Sequence, residues 1–551
     1  MNYRNIQSAS DLRVFLESIQ PDSNSQVFSG SSQSILEKDG KDNKDIKPSI
    51  HTKIDSTDII YANQEEINNI FEHIIIFTND RSRESNKTLD NVYEAIDNLK
   101  KAKCNIIPKL HVFVAADVVA TEDESEITIS DDTEEFTISA ENNTDTLIFS
   151  RLGVQGEYDC EHAVKLLQDR GFLVLNPVNY SALACDKYES AILFQKGGIP
   201  QPNFTIMTKD ILYDKQNYMT HMREVYKNWG KEDADNEDKE LVIKILDGHG
   251  GTGVFLTNGN RMYAILQAFF AKCPSLRLLI QKKEEADGGD IRVHVLTLKN
   301  KQVIIGAMKR VKISGDFRSN ISLGATAEPI KLSKEQEEIA LKTAKLSKLP
   351  WCAVDIMPLA KGSNPELGDN VVLEINASPG TAGISDVLKT NLINILLSNL
   401  TDPSEFCLQD KISGYIETVE LGWEQGSFIK YLAKLDTGNG AHASHIEVGD
   451  YEESGNKISF YINNKKHTFD IIERSHARTG EKETADRPII IVPELKLGLR
   501  HMKNVKMGIV KSRNKSTNVL LNRSLISQLG YVVSPNLIHL LTPEMQKQII
   551  L

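Results

Sequence analysis

Up to about residue 400 apolar positions alternate between strand-like runs and helical spacing, as in a mixed α/β chain. HIIIFTND (73–80) reads as a strand, NVYEAIDNLKKA places its apolar residues at helical intervals, and TLIFSR is a second strand. CEHAVKLLQDRGFLVLNP then reads as helix, glycine stop and strand. This order predicts a small open sheet flanked by helices. Within it, the acidic, Ser/Thr-rich stretch 121–146 alternates Ile127, Ile129, Phe136 and Ile138 with polar residues, as a marginal hairpin would, and is expected to be an insertion. After TNLINILLSNL the chain passes through TDPSEF, and the apolar segments become short, separated and β-like. A domain boundary is therefore expected near residue 405.

Composition narrows the class. The chain has 551 residues, 40% hydrophobic and 25% charged, ordinary for a globular protein of two or three domains. It holds no run near the roughly 18 consecutive apolar residues of a membrane span, and the start MNYRNIQSAS offers no apolar segment for export. A cytoplasmic, membrane-free protein is expected. The six cysteines lack CxxC or CxxH spacing, which speaks against a structural zinc site or a disulfide framework and for buried, reduced thiols. A net charge of -12 disfavours wrapping of nucleic acid, although local basic clusters can still grip an anion. Residues 21–57, rich in Ser, Asp, Asn, Lys and Gly, have little to bury, so 1–57 reads as a flexible tail with one short helix at DLRVFLESI. The runs 231–240 and 361–370 read as surface loops, and no internal repeat is present.

Chemistry begins at LVIKILDGHGGTGVFLTNG (241–259), where Gly248, Gly250 and Gly253 formally satisfy GxGxxG. A Rossmann loop would open a helix, yet VFLTN is β-like; a Walker loop needs Lys after its last glycine, where Val254 stands. Strand, glycine loop, strand instead suits a lid whose backbone N–H groups fold over phosphates, with Lys244 on the incoming strand. A kinase lid would need an HRD-type loop, and Asp316–Arg318 lacks the glycine of a DFG. Taken alone, the motif is equally a glycine-rich turn with an exposed lysine.

Two further segments shift that balance. Asp355 interrupts the apolar strand WCAVDIMPL, and Glu374 and Asn376 interrupt NVVLEINASPG. Buried carboxylates must be paired or bound to cations. A strand period of two puts Glu374 and Asn376 on one face, where their oxygens can meet that of Asp355 and hold magnesium with a nucleotide. The alternative is that they simply bond to neighbouring Arg or Lys. In KRVKISGDFRSN, Lys309, Arg310, Lys312 and Arg318 form a basic run that is by default a solvated face. Beside a nucleotide, however, Arg318 with Ser319 and Asn320 suits the charge that develops in phosphoryl transfer.

The order DKYESAILFQKGGIPQPNFTIM, LVIKILDGHGGTGVFL, LIQKKEEADGGDIRV, GDFRSN, AVDIM and LEINASPG resembles the RimK family of ATP-grasp ligases, over roughly residues 71–395. The resemblance implies an α+β multidomain architecture: a pre-ATP-grasp α/β domain at 58–185 and an ATP-grasp domain of two α+β subdomains at 186–400. It implies ATP and Mg2+ (or Mn2+) as cofactors. ATP contacts are implied at Lys187, Lys244, Asp290, Ser319, Asn320 and the lid glycines Gly250, Gly251 and Gly253, with Gln281 at the adenine and Arg318 catalytic. Metal ligands are implied at Asp355, Glu374 and Asn376. The implied reaction adds an amino acid, expected to be glutamate, to a protein or peptide C-terminus through an acyl phosphate. A dipeptide ligase acting on small molecules is the alternative within the class. His249 and the charged hinge QKKEE depart from the family pattern.

The region 410–551 raises a second class. In SFIKYLAKLDTGNGAHASHI a strand ends in Asp436, Thr437 and Gly438, the triplet with which aspartic proteases present a carboxylate. With RPIIIVPELKLG and TNVLLNRSLISQLGY following, the region resembles a retropepsin-like half and the RimB-like family once labelled ATP-dependent zinc proteases. This implies a mostly β acid-protease domain in which Asp436 is catalytic, working as a homo-oligomer (dimer or tetramer). Asn522 stands where that family has Gly, a change that Asn's tolerance of left-handed backbone would accommodate. His442 and His445, spaced by three, are expected to be ordinary surface histidines rather than metal ligands. In the rival reading proteolysis is the main activity and the ATP-grasp part regulates it.

Overall fold

The computed structural model describes residues 60–61, 67–123, 126–150, 160–229, 240–246, 248, 253–299, 301–311, 325–408, 410–424, 427–478, 484–511 and 517–541. The expected tail at 1–57 and the acidic run up to residue 239 lie outside the described residues. No helix among the described residues is long and apolar enough to cross a membrane.

The first apolar runs assemble as four parallel strands in the order Lys109–Val114, His73–Thr78, Thr146–Phe149, Leu173–Leu175. Continuous apolar runs suit strands covered on both faces, and every residue of Thr146–Phe149 and Leu173–Leu175 is buried. Helix Lys87–Lys101 starts where the Asn86 side chain accepts from the Leu89 N–H (3.0 Å). Its apolar stripe, Leu89, Val92, Ala95, Ile96 and Leu99, joins Ile74, Ile76 and Leu147 in one core. The stretch 121–146 is tied in more firmly than a marginal hairpin. Val119–Glu122, Glu126–Ser130 and Glu135–Ser139 form an antiparallel meander whose Ile127, Ile129 and Ile138 pack with Phe77 and Phe113.

Two sheets follow, antiparallel except where Ile60–Tyr61 pairs parallel with Gln302–Val311, and the candidate site lies between them. One has the order Val254–Asn258, Glu240–Ile245, Leu278–Lys282, Phe204–Met207. The other runs Ile60–Tyr61, Gln302–Val311, Gly289–Thr297, Trp351–Pro358, Asn370–Asn376, with Thr326–Pro329 added on Gln302–Val311. Each has its own core, Tyr218, Met222 and Phe269 under the first and Ile339, Ala344 and Val354 under the second.

Phe406 still belongs to the first core, stacked on Phe71 at 5.9 Å. From Lys411 onward the structure is mostly β. An eight-stranded sheet closes on itself where Lys411–Glu424 pairs with both Ser427–Asp436 and Thr484–Leu497. Val419, Leu421, Leu435, Ile446, Met507 and Leu521 fill this barrel. It sits against the N-terminal unit: Lys411 pairs with Asp169 (3.1 Å), and the Asn143 amide donates to the His501 carbonyl (3.1 Å). Asn522 corrects the expectation of a left-handed residue. Its φ of -81° and ψ of 164° are extended, and its side chain caps helix Arg523–Gln528 by accepting from the Leu525 N–H (3.0 Å).

Glu417 is a buried carboxylate on the first barrel strand that accepts from the N–H groups of Gly414 (2.7 Å), Leu540 (2.9 Å) and Leu541 (3.2 Å). It fastens the chain beyond the last strand to the first. Glu417→Ala strands those donors and should lower unfolding free energy by roughly 2–4 kcal/mol in a denaturant titration. An unchanged midpoint would contradict this role.

Candidate ATP-grasp active site

The cleft between the two antiparallel sheets holds a cavity of about 350 Å3. Its base is organised around Asp355. Register places Asp355 opposite Arg292 on one neighbouring strand and opposite Glu374 on the other, with Asn376 two residues along. Arg292 donates from Nε and Nη2 to the two Asp355 oxygens at 2.7 and 2.6 Å. Arg310 donates to Asp355 Oδ2 at 2.8 Å and grips Asp290 with Nε and Nη2 at 2.6 and 2.8 Å. Asn376 adds a longer contact to Asp355 (3.3 Å). Burial opposes ionisation of Asp355, yet the Arg292 and Arg310 guanidinium groups outweigh it and hold the carboxyl well below the usual range. The same carboxylates overcome burial at Arg310 and keep it charged.

This arrangement changes the sequence-based picture in two places. Arg310 is not part of a solvated basic face; it is buried, bridging Asp290 and Asp355. Asp290 lines the cavity, as expected of a nucleotide contact, while its carboxylate also orients Arg310. Arg292 was not singled out. Its signal was its place two residues after Asp290, which puts it on the same strand face, but its partner lies on a strand 63 residues away. Gly289, at φ +143°, lets the strand approach its neighbour: a Cβ there would lie 2.1 Å from the Arg310 carbonyl oxygen.

The opposite wall is cationic. Lys244 projects from Glu240–Ile245 into the cavity, and burial pulls its ammonium down to about 8, with Glu374 and Asp355 acting against that shift and Lys187 with it. Lys187, the first residue of helix Lys187–Gly197, donates to the Gly248 carbonyl and lines the same cavity. Glu240–Ile245 and Val254–Asn258 are antiparallel partners, so the two strands expected on either side of the glycine segment are in place. Gly253, at φ +75°, packs so closely that a Cβ would come within 2.9 Å of Ile245 Cδ1. Gln281 is buried on the cavity wall, beside Lys282, Lys283 and Glu284. The charged hinge is partly compensated locally, since Lys283 pairs with Glu240, and Asn364 donates to Glu284 (3.1 Å). His249, Gly250, Gly251, Lys312, Arg318, Ser319 and Asn320 lie outside the described residues.

A desolvated lysine facing Asp355 and the partly exposed Glu374 fits a nucleotide phosphate lying between cationic and oxygen-rich walls. No group of three or more His, Cys, Asp and Glu that could hold a metal exists among the described residues. Magnesium suits such a place, because it is commonly held by one or two carboxylates together with phosphate and water.

In the barrel, Asp436 ends strand Ser427–Asp436 as a partly exposed carboxylate. Its Oδ1 accepts from the Gly438 N–H (3.1 Å), Lys434 lies 3.8 Å away, and Asn522 is its register partner on the next strand. His442 pairs with Glu473 at 2.7 Å. None of the six cysteines is in a disulfide; Cys160 and Cys352 are buried, and the others are partly exposed.

Residues 184–400 match the RimK-like ATP-grasp domain. A probable alpha-L-glutamate ligase of Vibrio vulnificus (strain YJ016) is 30% identical over 253 residues, 45% of this chain and 74% of that protein. Its counterpart in Vibrio atlanticus (strain LGP32) is 32% identical over 239 residues, 43% of this chain and 70% of that protein. Among solved structures, D-alanyl-alanine synthetase A of Vibrio cholerae aligns over 60% of this chain and 99% of its own, at 14% identity and a TM-score of 0.42. The family match and the glutamate-ligase relatives make this an ATP-grasp ligase, an enzyme that uses ATP and Mg2+ to join a carboxylate to an amine. The chain belongs to the RimK-like ATP-grasp family, and its barrel lies beyond the matched segment.

Lys244 yields a pH test. Its folded value of about 8 lies below the ordinary 10.5, so the charged form costs stability below pH 8, and stability rises with pH between 8 and 10.5. Phosphate binding favours the charged form. ATP affinity should therefore fall as pH rises above about 8, while Lys244→Met should bind weakly and without that slope. Calorimetric titration across this range checks it; an identical slope in Lys244→Met would assign the dependence to another group.

Proposed function

We propose that this chain adds glutamate to the C-terminal carboxylate of a protein or peptide. The observation that carries the reading is the facing of Lys187 and Lys244 against Asp355 and Glu374 across one cavity, with Asn376 bonded to Asp355. The probable alpha-L-glutamate ligases among the relatives favour glutamate as the amino acid added. Bound ATP with magnesium would supply the γ-phosphoryl group that activates the acceptor carboxylate as an acyl phosphate with release of ADP, and the incoming amine would then form the amide by displacing inorganic phosphate. Lys187 and Lys244 would neutralise phosphate charge, and Asp355, Glu374 and Asn376 would hold the magnesium. Gln281 would meet the adenine. Gly250, Gly251 and Gly253 would let the lid close over the phosphates, with Ser319 and Asn320 beside them. Asp290 would act partly through Arg310, and Arg318 would oppose charge on the transferring group. No side-chain nucleophile is required, so catalysis is positioning and electrostatics.

The test is incubation with ATP, magnesium and labelled glutamate, with either a peptide or a free amino acid as acceptor. Incorporation into the peptide is expected, with ADP release that depends on the acceptor. Asp355→Asn combined with Glu374→Gln should reduce both by about a hundredfold or more. Full activity in that double variant, or acceptance of the free amino acid alone, would contradict the reading.

The Asp436 turn favours a second, peptidase reading of the barrel. Aspartic proteolysis needs two carboxylates sharing a proton, and the sequence has a single DTG, so two chains would each have to contribute Asp436 about a twofold axis. Thr437 would brace the turn and Gly438 would allow it. Cleavage of the glutamylated peptide should then require dimerisation and vanish in Asp436→Asn, with ligation retained. Equal cleavage by Asp436→Asn would leave the barrel without this chemistry.

A further inference from the structure

The proposed metal ligands all sit in one short stretch of ladder. Between Trp351–Pro358 and Asn370–Asn376, Ala353 stands opposite Asn376, Val354 opposite Ile375 and Asp355 opposite Glu374. Past that last pair the register shifts: Ile356 stands opposite Val372, and Leu373 is the extra residue of a bulge. The bulge lies at the cavity, which Leu373 and Glu374 both line. A slip of one residue in so short a stretch would turn Glu374 and Asn376 to the other face of the sheet. The bulge bounds one end of the stretch, and Asn176 bounds the other.

Asn176 belongs to neither strand. It follows Leu173–Leu175 of the N-terminal parallel sheet and is 1% exposed. Its Oδ1 accepts from the Trp351 N–H (2.9 Å), and its Nδ2 donates to the carbonyl oxygens of Trp351 and Ala377. Trp351 opens one ligand strand and Ala377 directly follows Asn376 on the other, so one carboxamide joins the two backbones just beyond their end pair. Two carbonyl oxygens there need donors and one N–H needs an acceptor, a set that a carboxylate or a single hydroxyl cannot match. Asn176 is itself held from behind, where Ser150 Oγ accepts from its N–H (3.0 Å) and donates to its carbonyl oxygen (2.8 Å). Further along the chain, Asn91 donates to Thr381 Oγ1 (2.9 Å) and Ser385 Oγ (3.1 Å), which keeps the segment leaving Asn376 on the N-terminal unit.

We propose that Asn176 is a positioning residue for the metal site: by joining Trp351 to Ala377 it fixes the register in which Asp355, Glu374 and Asn376 present their oxygens to one cation. The inference rests on the reading above that these three residues hold the magnesium. It assigns to the N-terminal unit a part in the chemistry of a cleft to which it contributes no ligand.

The experiment titrates Mn2+ into the full chain with a non-hydrolysable ATP analogue and reads free and bound ion by electron paramagnetic resonance. Asn176→Asp keeps the shape but sets a carboxylate oxygen against the two carbonyls, and should weaken Mn2+ binding by about tenfold, as loss of an outer-shell partner does. Hydrogen exchange of the 370–377 backbone should quicken in the same variant. ADP titrated in EDTA meets Lys187, Lys244 and Gln281 rather than the ligand strands, so its affinity should stay at the wild-type value. A role confined to fold stability would lower the thermal melt and leave Mn2+ affinity of the folded protein unchanged. That result, or an equal loss of metal-free ADP binding, would overturn the proposal. Ser150→Ala keeps the carboxamide and removes the hydroxyl behind it, so Mn2+ binding should weaken in the same direction. It replaces Asn176→Asp if that variant does not fold, and wild-type Mn2+ binding by it would then overturn the proposal. Wild-type Mn2+ binding by Glu374→Gln would instead sink the metal reading itself, and the proposal with it.

Discussion

The Asp355 carboxylate is the constraint around which the catalytic half of this chain is arranged. It is almost wholly buried, and an ionised carboxylate is tolerated there only because Arg292 and Arg310 converge on it. Arg310 is held in turn by Asp290, so three strands are locked in one register by a single chain of charges. Buried ion pairs add little net stability compared with apolar packing, yet removing one member leaves an uncompensated charge and is severe. Their value here lies in geometry. On the neighbouring strand Glu374 stands in register with Asp355, and Asn376 donates to it.

The two walls of the cleft have opposite electrostatic needs. One holds a lysine that burial makes reluctant to stay charged; the other holds carboxylates partly satisfied by guanidinium groups. A polyphosphate with a divalent cation supplies negative charge to the first and positive charge to the second. Ligand binding and stability are thereby coupled, since an anion beside Lys244 removes a cost that the empty fold carries. The barrel is organised differently: its carboxylates Glu417 and Glu473 are satisfied by backbone donors and by His442 and Lys506, as a scaffold rather than a nucleotide cradle.

Much of this was legible in the sequence because it rests on local pattern. The strand, glycine loop and strand around Lys244, and the polar interruptions Asp355, Glu374 and Asn376 in apolar strands, are local signals that the sheets preserve. What escaped depends on contacts between distant segments. Arg310 looked like one of several surface cations, since nothing near it in sequence reveals that Asp355, 45 residues on, needs it. The alternation at 127–138 was visible, but the sheet face that buries it is made by residues 77 and 113. Barrel closure was hidden for the same reason: Lys411–Glu424 pairs with Thr484–Leu497 across more than sixty residues. Asn522 was misread because a missing glycine suggested left-handed backbone, whereas the residue begins a helix.

The central claim is that the cleft between the two antiparallel sheets is the nucleotide site of a ligase. A crystal structure of the full chain with a non-hydrolysable ATP analogue and magnesium tests it most directly. The account predicts phosphates against Lys187 and Lys244, metal on Glu374, Asn376 and Asp355, and the base beside Gln281. Nucleotide bound elsewhere, or a metal that ignores Glu374 and Asp355, would contradict it.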